Sequence, residues 1–126
     1  MPHTLNFIAG WWLILAAFVS GAVIGLGFHQ EDFLGGYTSF RRRLLRLGHI
    51  ALAALGTLNV VYGLSPAHTS PAGPASLPGL LLLGGAVAMP LVCLLSAWRE
   101  SFRHLFVIPV VLLIAAVIFI VLGVLS

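Results

Sequence analysis

All nine charged side chains of this chain fall in two short windows, residues 31–46 and 99–103. Everything else is uncharged and strongly apolar, in four stretches: 7–28, 47–64, 77–97 and 105–125. Each has the length, about 18–22 residues, that an α-helix needs to cross a hydrocarbon core of roughly 30 Å. In lipid every backbone polar group must be satisfied within the protein, and a helix does this inside one segment. The pattern therefore predicts an all-α integral membrane four-helix bundle with short loops. It is a single domain, 1–126, with spans over about 7–28, 44–64, 77–98 and 105–125.

The composition agrees. Charged residues make up 7% of the 126 residues, where a soluble domain carries roughly a quarter. Four spans and their connections consume the chain, so any function has to lie in the bundle, at its loops, or on a surface offered to a partner. The net charge of +3 comes from arginines beside membrane segments, which points to orientation rather than to nucleic acid. The single cysteine, Cys93, excludes an internal disulfide and a cysteine-based zinc site, and reads as a small packing residue. The N-terminus lacks the basic region of a secretory signal, so the first apolar run reads as a retained helix.

The charge map also orients the spans. Arg41, Arg42, Arg43 and Arg46 lie between spans 1 and 2, and Arg99 and Arg103 between spans 3 and 4. The two tails and the second loop have no Lys or Arg. The positive-inside rule then places these six arginines among cytoplasmic headgroups and both termini outside, in a bacterial inner membrane. Trp11, Trp12 and Tyr62 are the expected interfacial anchors on the outer side, and Trp98 and Tyr37 on the inner. The Pro/Ala/Ser-rich connector 65–79 disfavours regular structure, and its His68, like His3, is expected in solvent. Gly35-Gly36 suits a turn, and Thr38 or Ser39 suits the cap of a helix entering span 2.

Small residues mark packing faces. Gly10, Ala17, Gly21 and Gly25 recur on span 1, with Gly21 and Gly25 forming a GxxxG match. Span 2 carries Ala53, Gly56 and Gly63 on one side with His49 and Val60, and Leu52 and Asn59 beside them. Span 3 offers Gly84, Gly85 and Ala88, then Pro90, which is expected to kink it and free a carbonyl for a nearby Ser or Cys. Span 4 is mostly Val, Ile and Leu, and reads as the most lipid-facing. Asn59 is expected to hydrogen-bond between helices.

The residues that suggest chemistry lie in one layer: His29, His49, His104, Glu31, Asp32 and Glu100. Three site readings follow. His49 and His104 as axial ligands of a b-type haem is the sharpest, although their nominal depths differ by roughly 6–8 Å. A carboxylate–histidine metal site is weaker, because the spacing matches no compact motif. A quinone or lipid-headgroup site built from His49, Arg46 and Tyr37 is the third. No nucleotide-binding, hydrolase, metalloprotease, haem-attachment or prenylation motif occurs, and no acid lies in any span centre.

The expectation is a non-enzymatic accessory subunit of a larger bacterial respiratory or photosynthetic membrane complex, in contact with lipids and other integral membrane subunits. A haem-binding electron-transfer protein and an oligomeric transporter or channel subunit are the alternatives.

Overall fold

Long apolar segments without charge become helices here, and glycine positions decide how those helices meet. The computed structural model describes residues 3–66 and 76–125. It has four helices of membrane-spanning length and, among the described residues, no strand: α1 (Thr4–Gly27), α2 (Phe40–Leu64), α3 (Leu77–Trp98) and α4 (Val107–Leu125). The fold is thus all-helical, as the charge map predicts, and is that of a multi-pass membrane protein. His68 and most of the second connector lie outside the described residues.

Local rules set the helix ends. Ser39 caps α2: its Oγ accepts from Arg42 N at 3.2 Å and donates to Leu34 O at 2.7 Å. Gly35 and Gly36, at φ +87° and +90°, make the turn that feeds this cap. Leu34 at φ 55° is the one positive-φ residue there that is not glycine. Pro78 sits in the first turn of α3, where its missing N–H costs nothing. α3 stays a single helix through Pro90. The last span begins later than the uncharged run suggests, because Glu100–Phe106 forms a tighter 3-10 segment before α4.

The helices pack mainly in series and antiparallel, α1 on α2, α2 on α3 and α3 on α4, with a slight α1–α3 contact and one buried cluster shared by α2, α3 and α4. Burial follows this order. In the membrane-length windows of the end helices, 11% of residues are buried, against 28% for α2 and 39% for α3. The lipid-facing character expected of α4 therefore extends to α1.

The α1–α2 contact is close because glycine leaves no side chain between the backbones. A Cβ on Gly10 would sit 2.7 Å from Gly56 O and from Val60 N, and one on Gly56 would sit 3.0 Å from Gly10 O. A Cβ on Gly63 would meet the Phe7 backbone at 2.7 Å. Ala17 is buried on the same side. α3 is approached from both sides: Gly48 of α2 lies against Cys93, and Gly85 of α3 accepts Leu113 of α4. Tyr62, Leu82 and Ala116 join α2, α3 and α4 in the buried apolar cluster. Ala53 and Ala88 are half-buried, and Gly84 meets only the tip of Leu112.

Gly25 departs from the expected seam: nothing lies within 4 Å of where its Cβ would be. The two glycines of the GxxxG pair are thus used differently: Gly21 is filled by His49 of α2, and Gly25 is met by no other element.

These glycines should respond differently to substitution. Gly10→Ala forces backbone against backbone and should destabilise the detergent-solubilised protein by about 1–3 kcal/mol. Gly25→Ala should be neutral or stabilising. Thermal unfolding of the two variants checks this, and equal effects would contradict the seam.

Candidate functional site

Polar side chains collect at the two ends of the helix row. At the end carrying the N-terminus, Asn6 Nδ2 donates to Asn59 Oδ1 at 2.7 Å and to Gly79 O at 2.8 Å. Asn59 Nδ2 donates to Leu55 O at 2.8 Å. One amide pair therefore ties α1, α2 and α3 together, as anticipated for Asn59 but with a partner, Asn6, that the sequence did not flag. The glycine at 79 is part of the fit, because a Cβ there would lie 2.6 Å from Asn6 Oδ1.

Tyr62 belongs to this knot and is not an interfacial anchor. It is 4% exposed, and its hydroxyl lies 2.9 Å from Ser76 Oγ. His3 is likewise not in solvent. It is 1% exposed and stacks on the Tyr62 ring with centroids 4.5 Å apart. Both errors have one cause: single-residue position along a span says nothing about which side faces a neighbour. Neither ring nitrogen of His3 has a hydrogen-bond partner among the described residues, and burial pushes its imidazole pKa down. Trp11 and Trp12, by contrast, are exposed as membrane anchors should be.

The opposite end holds the arginines. Arg42 was expected among headgroups, yet it is 5% exposed. Its guanidinium lies 4.5 Å from the Phe28 ring centroid, and its terminal nitrogens donate to Phe28 O at 3.5 Å and Glu31 O at 3.4 Å. It therefore closes off carbonyls left open where α1 ends. Phe33 packs over Gly27 and edge-on to Phe28, completing the tuck. Arg41, Arg43, Arg99 and Arg103 are exposed, as a headgroup role requires. Arg46 is half-buried with its guanidinium 4.8 Å from the Tyr37 ring centroid.

His49 faces α1. A Cβ on Gly21 would be 2.6 Å from its Cε1, so the ring fills the gap left by that glycine. His49 Nδ1 lies 3.3 Å from Ser20 Oγ, and Ser20 Oγ donates to Ala17 O at 3.1 Å. The Ser20–His49 pair thus joins α1 to α2, with the donor set by the imidazole tautomer.

The structure does not bring His49 and His104 together. His104 is exposed on the 3-10 segment that packs on α3, while His49 is turned to α1. His29, Glu31, Asp32 and Glu100 are all exposed, and no cluster of three or more metal-ligating side chains occurs among the described residues. The third grouping is the one the fold assembles. Arg46 and His49 line a common cavity of about 320 Å³ between α1 and α2, with Tyr37 against Arg46. This cavity is the candidate site.

Two measurements probe the polar ends. A double-mutant cycle of Asn6→Ala and Asn59→Ala should give a coupling of about 0.6–1.7 kcal/mol, and additive effects would contradict the amide pair. His3 should give a pH dependence. Its folded-state pKa lies below 6.5, so its docking is fully retained above that value and is lost as pH falls below it, the released chain binding the proton. Amide exchange at residues 4–6 should quicken on acidification, and His3→Phe should remove that response.

Comparison with known protein families, with characterised protein sequences and with solved structures finds no match, so the chain's own geometry carries the functional reading.

Proposed function

We propose that this chain is a non-catalytic accessory subunit of a larger membrane assembly, packing beside other integral membrane subunits. The observation that carries the reading is the open helix row. α1 and α4 each have one covered side, and their windows are 11% buried. A row with two uncovered ends suits lateral docking, whereas a transporter path requires helices that enclose a space. The host class is a bacterial energy-transducing complex, respiratory or photosynthetic, in which small multi-pass subunits with few loop residues are common.

The exposed Arg41, Arg43, Arg99 and Arg103 at one end support an orientation with that end in the cytoplasm and both termini outside. The membrane is then the bacterial cytoplasmic membrane. Electron transfer through a haem on His49 and His104 loses support from the placement of those residues.

Purification from native membranes in mild detergent, with mass spectrometry and a visible spectrum on one fraction, tests the reading. The chain should migrate with a large complex, and His49→Ala should leave that fraction's haem absorption unchanged. A lone small protein, or a b-type difference spectrum lost in His49→Ala, would overturn it.

A further inference from the structure

The cavity between α1 and α2 at the arginine end has the bare backbone of Gly25 in its wall and one cation in its lining. Gly21, Gly25, Phe28, Arg46, His49 and Ile50 line it. Its volume of about 320 Å³ falls at the low end of the range of roughly 300–1,000 Å³ in which small-molecule sites are found. Outside the adjoining turns of α1 itself, no described atom lies within 4 Å of the Cβ position of Gly25. A gap of this kind between two membrane helices forfeits dispersion contacts unless something fills it.

The chemistry of the occupant follows from the cation. Arg42, one turn away, is committed to the Phe28 ring and the carbonyls at the end of α1. Arg46 is not: among the described residues its one side-chain partner is the Tyr37 ring, which covers a face of the guanidinium and leaves its N–H edge available. The acids nearest in sequence, Glu31 and Asp32, are exposed in the loop and do not line the cavity. The remaining lining is apolar apart from His49, whose Nδ1 is engaged by Ser20. One permanent positive charge in the lining of an otherwise apolar groove fits an amphiphile with an anionic head and a long tail. A neutral quinone ring gives the guanidinium no charge to meet. The position fits as well, since the charged windows that bound the spans place Arg46 at headgroup depth.

We propose that this groove binds an anionic phospholipid, its phosphate on Arg46 and one acyl chain laid over Gly25 and Ile50. The assignment rests on the groove's own lining and not on the accessory-subunit reading.

The test uses the full chain in detergent, titrated with phosphatidylglycerol or phosphatidylcholine of identical acyl chains and read by native mass spectrometry. Phosphatidylglycerol should be retained in preference. Arg46→Gln should weaken its binding roughly five- to tenfold, the change expected of one lost basic contact. Arg103→Gln, at the same end but outside the groove, should change it less than about twofold on that scale. Gly25→Leu places an apolar side chain in the groove at a position whose Cβ meets no other element, so it should abolish retention while the protein stays monodisperse and helical. This variant keeps the proposal testable even if Arg46→Gln fails to fold. Excess inorganic phosphate should not displace the lipid. Equal retention of the two lipids, undiminished binding by Gly25→Leu, displacement by inorganic phosphate, or competition by a co-extracted quinone would each overturn the assignment.

Discussion

The close backbone approach of α1 and α2 sets the position of nearly everything else in this protein. Lipid tails are as apolar as leucine, so helices in a membrane gain little from hiding apolar surface from one another. They gain from dispersion at short range and from polar groups that find partners. Gly10 against Gly56, and Gly63 against Phe7, permit that range. Once the register is fixed there, Asn6 falls beside Asn59, and one amide pair locks the two helices to the start of α3. At the other end of the same seam, Gly21 leaves room for an imidazole, and His49 fills it. The polar contacts at both ends are consequences of one glycine register.

Much of the fold was legible because the physics of a bilayer is strict. Charges confined to two windows could produce only spans between them, and Ser39 and the Gly35-Gly36 turn announced the start of α2 in the ordinary way. The stripe containing Gly56 and Gly63 was legible from its spacing, and so was the interhelical role of Asn59. What could not be read was direction and pairing. Gly21 and Gly25 look equivalent in a GxxxG match, yet one is filled and the other open. That difference depends on which α2 side chain falls opposite each glycine, which no local pattern encodes.

The arginines teach the same lesson. Six basic residues beside spans read as six headgroup contacts, and for Arg41, Arg43, Arg99 and Arg103 their exposure agrees. Arg42 instead turns inward to the carbonyls ending α1, and the signal lay in its neighbours. Phe28 and Phe33 flank a helix end with no basic residue in its own last turn, which invites a cation from elsewhere. Tyr62 and His3 were misplaced for the complementary reason: a ring near a span end looks interfacial unless its helical face is known. The candidate site was legible as a set of residue types, His49 with Arg46 and Tyr37, but not as a cavity. The cavity exists because Gly25 faces nothing.

The resulting molecule has polar locks at its ends, a glycine-tight first pair, and two end helices each open on one side. The α1–α2 register is the claim on which the site, the amide lock and the open groove all rest. Nuclear Overhauser contacts in the unmodified, detergent-solubilised protein measure it without any substitution. The α protons of Gly10 should show strong contacts to a Val60 methyl group and to Gly56, with none from α1 to α4. Contacts from Gly10 to α4, or none to α2, would contradict the account.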